Sequence, residues 1–109
     1  MNIKEETLAH YHRMIEWAKE QDPSGNAYSE FMYQELGESW LAHSCPLCKL
    51  HQYKCESCIV YYSTKMYGCR GTPWNSLDTC IQWGDWIDAA LEEVEFLESL
   101  YWDKFYKDA

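Results

Sequence analysis

Two C-x2-C pairs, in the stretch CPLCKLHQYKCESC from Cys45 to Cys58, constrain this chain more than any other feature. They stand in a segment without clear helical periodicity, and loops longer than roughly 12–15 residues are uncommon in compact domains unless something organises them. A two-residue gap lets both sulfurs of a pair turn toward one centre, so two pairs can complete a tetrahedral zinc site. The sequence therefore predicts one bound zinc ion with four thiolate ligands: Cys45, Cys48, Cys55 and Cys58.

The six-residue gap between the two pairs is shorter than in typical zinc ribbons. One of the four ligands could therefore be replaced by a residue near the pairs or further along the insert. The alternative ligands are Cys69, His43 and His51.

Other cysteine chemistries remain as alternatives. Disulfides form in secreted proteins, whereas the first residues, MNIKEE, carry charges and no apolar run, so we expect a cytoplasmic protein with reduced cysteines. A thioredoxin-like redox pair would stand between a strand and a helix, but the segment before Cys45 has a helical pattern. An iron–sulfur cluster is compatible with soft thiolates, although its usual cysteine spacing is absent.

Helical periodicity predicts the rest of the fold. Apolar residues recur at three- and four-residue spacing over residues 3–20, where Asn2 can cap the helix, and again over residues 27–43, with Gly37 as a weak point. From 76 to 107 a heptad-like seam begins at Trp83, and Gly84 marks a kink or a late start. The predicted fold class is mainly α: one small helical domain over residues 1–109, with a long C-terminal helix and an irregular zinc-stabilised insert at 44–75. Within the insert, residues 59–62 suit a short strand or a helical turn.

Charge is spread unevenly along the chain. The net charge is −9, with −5 over residues 1–38, +3 over 39–77 and −7 over 78–109. Such an acidic chain is a poor general nucleic-acid binder, since neutralising phosphates needs Lys and Arg, and acidic chains more often meet basic partners. The Lys and Arg side chains of the insert either balance the negative charge of the cysteine thiolates or contact a phosphate backbone. We also expect no contact with a membrane, because no apolar run approaches the ~20 residues of a spanning helix.

Four carboxylates on the third helical segment form what we call the acidic row. Their spacing of three, four and three residues places them on one helix face, where they could imitate the phosphates of nucleic acid and enter a basic groove. The plainer interpretation is the solvated face of an amphipathic helix. The acidic row comprises Asp85, Asp88, Glu92 and Glu95.

Aromatic residues make up 17% of the chain, so most of them must lie in the core. Trp86 and Trp102, however, lie off the predicted seam, and the C-terminal YWDKFY is aromatic on several faces. This pattern suggests an exposed anchor for a partner or for a second copy of the chain in a homodimer.

Nothing in the sequence indicates a catalytic centre. All-cysteine zinc sites are generally closed, and Glu56 is the only acid between Ser39 and Leu77. Neither a nucleophile elbow, a phosphate loop, a dinucleotide fingerprint nor a deaminase signature is present. We therefore expect a protein that is not an enzyme, with a metal-dependent or redox enzyme as the alternative.

The stretches GESWLAHSCPLCKLHQYKCESC and GCRGTPW resemble a pattern found in small cysteine-rich hypothetical proteins of phages and prophages. The resemblance covers about residues 37–74 and implies Cys45, Cys48, Cys55, Cys58 and Cys69 as the shared cysteines. It implies a phage accessory role, including inhibition of a host defence nuclease by direct binding. The predicted function is an acidic zinc-binding inhibitor of a CRISPR-type or other nucleic-acid-binding host complex. A zinc module that binds nucleic acid is the alternative.

Overall fold

The computed structural model describes residues 2–54, 57–65 and 72–106. This part of the chain is mainly helical, as predicted, and its only pairing of extended backbone is an isolated antiparallel bridge between Asn26 and Gln82. No helix in the described ranges is long and apolar enough to cross a membrane. The described ranges contain seven α-helices: α1 (Ile3–Lys19), α2 (Ser29–Leu36), α3 (Pro46–Leu50), α4 (Ile59–Thr64), α5 (Trp74–Thr79), α6 (Trp83–Glu98) and α7 (Trp102–Phe105).

Helix α1 begins and ends where its sequence pattern predicts. The side chain of Asn2 accepts a hydrogen bond of 2.9 Å from the backbone N–H of Glu5, which satisfies one of the donors that every helix leaves free at its start. Of the apolar residues at helical spacing, Tyr11, Ile15 and Ala18 are buried and Leu8 is partly buried. They join the core that α1 shares with α6.

Helix α2 is shorter than the predicted 27–43. It ends at Gly37, whose φ of +82° lies in the left-handed region and whose N–H donates to the carbonyl of Tyr33 at 2.9 Å. Glycine adopts this conformation without the steric cost of a Cβ, so the glycine that looked like a weak point is the helix terminator. A 3-10 turn at Ala42–Ser44 then leads to Cys45.

The predicted single helix over 76–107 is wrong, because α5 and α6 are separate and a further break precedes α7. Between α5 and α6 the backbone is extended and pairs with the loop after α1: the N–H of Ala27 donates to the carbonyl of Ile81 at 2.8 Å. The same loop satisfies the start of α6, since the N–H of Gly84 donates to the carbonyl of Pro23 at 2.9 Å. The late start predicted at Gly84 is therefore confirmed.

Both tryptophans predicted as exposed anchors are buried. Trp86 is fully enclosed and Trp102 is 2% exposed, with its indole N–H donating to the carbonyl of Leu97 at 2.7 Å. The prediction failed because α6 contacts both α1 and α5, so its buried stripe is wider than a heptad seam. At the end of the predicted seam, Tyr101 is instead 71% exposed.

The cysteine-rich insert contains more regular structure than predicted. Helix α3 follows Cys45, and α4 begins at Ile59, which confirms a helical turn rather than a strand at residues 59–62. Ile59 and Val60 are buried and join the core. The short helices thus anchor the described part of the insert to the helical layer formed by α1, α5 and α6.

Candidate metal centre and acidic face

The first cysteine pair is organised by the start of α3. Cys45 is the residue that precedes the helix, and Pro46 occupies its first position, where the missing N–H of proline costs nothing. Cys48 follows within the first turn, and the thiols of Cys45 and Cys48 are hydrogen-bonded to each other. The backbone N–H groups of Leu47 and Cys48 also donate to the sulfur of Cys45.

This environment makes Cys45 unusually acidic for a cysteine. The hydrogen bond from Cys48 lowers the pKa of Cys45 to about 7 against the opposing effect of burial, and the two backbone donors and Lys49 add to the lowering. At neutral pH a large share of this residue is therefore thiolate, which is the form that binds metals and attacks disulfides.

Cys58, from the second pair, lines the same cavity as Cys45 and Cys48. It immediately precedes α4, as Cys45 precedes α3. Two further predicted ligands, Cys55 and Cys69, lie outside the described residues. Within the described ranges, no three His, Cys, Asp or Glu side chains surround a common point. The structure therefore brings the first pair into contact, whereas Cys58 only lines the same cavity.

Of the two alternative histidine ligands, only His51 lies at the site. Its Nε2 is 2.7 Å from the hydroxyl of Tyr106, and that hydroxyl accepts the backbone N–H of Ile59 at 3.3 Å. This hydrogen bond occupies Nε2, so only Nδ1 is left for a metal. Burial lowers the pKa of His51, which favours the neutral ring that binds metals.

The other histidine, His43, is exposed and packs edge-on against the ring of Tyr33, with ring centroids 5.0 Å apart. It does not belong to the residues that line the cavity around Cys45 and Cys48. The structure therefore separates the two histidines that flank the first cysteine pair in the sequence.

A buried carboxyl group near Cys45 was missed by the sequence analysis. Glu93 is 2% exposed, its Oε2 accepts a hydrogen bond of 3.2 Å from the hydroxyl of Thr72, and its Oε1 has no hydrogen-bond partner within the described part of the chain. Burial raises the pKa of Glu93 to about 7, and the nearby charge of Cys45 acts in the same direction. The available signal was its position three residues after Ala90 and four before Leu97, on the buried stripe of α6.

The acidic row has the exposure expected of a contact surface. All four side chains are exposed on α6, and no ion pair joins them to a Lys or Arg among residues 2–54, 57–65 and 72–106. Lys104, which follows the row in sequence, instead lies over the ring of Tyr101, 4.9 Å from its centroid. The row is therefore a group of like charges on one helix face that the described basic residues leave unneutralised.

No family model, curated protein or solved structure matches this chain.

Proposed function

We propose that this chain is a metal-stabilised interaction protein, not an enzyme, in which thiolate-bound zinc holds the cysteine segment and the acidic row contacts a basic protein partner. The observation that carries the proposal is the paired arrangement of Cys45 and Cys48, with Cys58 on the same cavity wall. In its most specific form, suggested by the resemblance to small phage proteins, the partner is a nucleic-acid-binding complex of host defence.

The donor set suits zinc. Two hydrogen-bonded thiols one helical turn apart can turn toward a single ion, and the lowered pKa of Cys45 reduces the cost of the deprotonation that binding requires. Cys58 supplies a third thiolate from the start of α4, and Cys55 is the proposed fourth. Such a four-thiolate site is closed to substrate, which is consistent with a structural role.

Three residues of the cysteine-rich insert also have strained backbone conformations that metal ligation would help to hold. Gln52, Tyr53 and Lys65 have φ values of 53°, 63° and 61°, the left-handed region in which a residue with a Cβ is strained by roughly 1–2 kcal/mol. Gln52 and Tyr53 lie between the two cysteine pairs, and Lys65 directly follows α4. Metal ligation would offset this strain, because its binding free energy contributes directly to folding.

The acidic row supports a basic partner. Four carboxylates along one helix face are spaced by roughly 4.5–6 Å, a spacing that a Lys- or Arg-lined groove for nucleic acid can accommodate. Solvated charges of this kind raise association rates and give specificity more than they add affinity. The interaction should consequently weaken as salt screens the charges.

A variant comparison tests this proposal. In one protein the acidic row is neutralised by D85N, D88N, E92Q and E95Q. In the control, four exposed acids of α1 are neutralised by E5Q, E6Q, E16Q and E20Q, which changes the net charge equally. Both proteins should keep the far-UV circular dichroism of the wild type.

The readout is capture of a partner from bacterial host lysate, followed by competition with duplex DNA. We expect the acidic-row variant to lose at least tenfold in captured partner, the control to lose little, and duplex DNA to displace the partner from the wild type. Equal losses from the two variants, or no loss from the first, would contradict a role for the row.

A second candidate function is thiol–disulfide exchange at the first pair. Cys45 follows a 3-10 turn and directly precedes α3. A redox pair was set aside because a helix was expected to run up to Cys45, and the structure has no such helix there. In this reaction the Cys45 thiolate attacks a substrate disulfide and expels one substrate thiolate. Cys48 then attacks Cys45, which releases the second thiol and leaves a Cys45–Cys48 disulfide, so two electrons pass to the substrate.

Oxidised glutathione distinguishes the two candidates. A redox pair predicts that C48S accumulates a mixed disulfide with glutathione at Cys45, detected as a mass increase, while C80S behaves as wild type. A zinc site predicts that both cysteines resist modification until the metal is removed by a chelator.

A further inference from the structure

A cavity of about 190 Å³ lies beside the cysteine pair, between α1, α3, α4 and the start of α5. We call it the cysteine-side cavity. Its lining is predominantly aromatic and aliphatic and includes Tyr11, Trp40, Trp74, Leu47 and Val60. The proposed zinc ligands Cys45, Cys48 and Cys58 also belong to the lining, and no ligand has been assigned to the aromatic and aliphatic part.

The polar atoms around the cavity are largely engaged with the protein itself. The indole N–H of Trp74 donates to the carbonyl of Trp40 at 2.7 Å, and Nε2 of His51 is held by Tyr106. A water molecule needs two to four polar partners to be stable in a cavity, and walls of this kind offer few. Water is therefore a poor occupant, and an apolar molecule is a better one.

Volume narrows the class of ligand. An apolar cavity of about 150 Å³ can hold benzene, so about 190 Å³ accommodates one aromatic ring or a compact bicyclic such as indole. The aromatic side chains of the lining, Tyr11, Trp40 and Trp74, allow edge-to-face packing with such a ring.

The cavity is also reachable. Ala42, Tyr53 and Lys54 line it and are exposed, so they form its mouth, whereas Leu47 and Val60 are buried and form its floor. A ligand can enter past these exposed side chains without disrupting the core around α6.

We propose that the cysteine-side cavity is a binding site for a small, uncharged aromatic molecule of one ring or of indole size, recognised by shape and apolar contact. The site does not depend on the acidic row, so the two proposals can fail separately.

Indole and benzene are the probes, titrated into reduced, zinc-replete full-length protein and followed by two-dimensional amide and indole N–H NMR. We expect saturable shifts confined to residues of the cavity, including Ala42, Val60 and the Trp74 indole. V60F should weaken indole binding at least tenfold by filling the floor, whereas V60A should retain it.

A variant at the mouth of the cavity provides a second test if V60F fails to fold. A42F covers the mouth from an exposed position, and L91F adds the same ring to an exposed position on α6, outside the cavity. We expect A42F to weaken indole binding at least fivefold and L91F to leave it unchanged. Absence of saturable binding by both probes, or equal binding to wild type and A42F, would overturn the proposal.

Discussion

The hydroxyl of Tyr106 is hydrogen-bonded to Nε2 of His51, 2.7 Å away, and so connects the end of α7 to the cysteine segment. The same oxygen accepts the N–H of Ile59 at 3.3 Å, so one phenol joins the end of α7, the segment after α3 and the start of α4. Burial raises the pKa of Tyr106 above its usual value, so the hydroxyl stays protonated at neutral pH.

Replacing Tyr106 by Phe should therefore destabilise the protein. The change leaves the N–H of Ile59 and Nε2 of His51 without their partner, and each lost hydrogen bond to a buried polar group costs about 1–3 kcal/mol. Urea unfolding measures the effect, with Y101F as the control because Tyr101 is 71% exposed. Equal urea midpoints for Y106F and Y101F would contradict this role of the Tyr106 hydroxyl.

Glu93 should make stability depend on pH. Its pKa is raised from 4.5 to about 7 in the folded protein, so between these pH values the folded state holds a proton that the unfolded state has released. Stability consequently falls as pH rises through this window, by roughly 3 kcal/mol in total.

The matched variants are E93Q and E92Q, which remove a buried and an exposed carboxylate from neighbouring positions. We expect E93Q to flatten the decline between pH 5 and pH 8 and to exceed the wild type in stability at pH 8, while E92Q keeps the wild-type slope. Urea unfolding at the two pH values decides the matter, and parallel slopes for wild type and E93Q would show that Glu93 is not the titrating group.

Gly37 should be needed for its conformation alone. A Cβ at this position would meet no atom within 4 Å, so the cost of G37A comes from the φ of +82° and is about 1–2 kcal/mol. G37N should cost less, because asparagine tolerates the left-handed region better than other residues with a Cβ. Thermal unfolding of the pair checks this ranking, and a G37A protein as stable as the wild type would refute it.

Glu38 should be important for holding α1 to the segment after α2. Its carboxylate accepts hydrogen bonds from Arg13 at 2.7 and 3.0 Å and contacts Nδ1 of His10, which is buried. E38A removes the partner of an enclosed imidazole and should cost about 1–3 kcal/mol by urea unfolding. E98A is the control, since Glu98 is an exposed residue at the end of α6, and a loss of similar size there would argue against a special role for Glu38.

Local signals predicted the parts of the fold that depend on local interactions. Helix α1 was recognised by its Asn2 cap and its apolar stripe, both of which act within one helix. The break after α5 was anticipated only as a kink or a late start at Gly84, because it depends on hydrogen bonds from Ala27 and Gly84 that join residues far apart in sequence. The apolar spacing of a heptad-like seam is the same whether the segment forms one continuous helix or is interrupted where its backbone pairs with a distant segment.

The residues of the candidate site were also predicted only in part. The cysteine spacing identified Cys45 and Cys48, which the structure brings into contact. It could not indicate Tyr106, because a tyrosine near the end of the chain carries no distinguishing local pattern. Glu93 could have been found only from its spacing to Ala90 and Leu97 on the apolar stripe of α6. The burial of Trp86 likewise follows from the contacts of α6 with two other helices.

Metal content tests the central claim most directly. Protein prepared under reducing, zinc-replete conditions should contain about one zinc ion per chain by elemental analysis. Chelation should abolish much of its cooperative unfolding, because a closed thiolate site contributes folding free energy. Protein that contains no metal under these conditions, and that shows intact disulfides by mass spectrometry, would contradict the account.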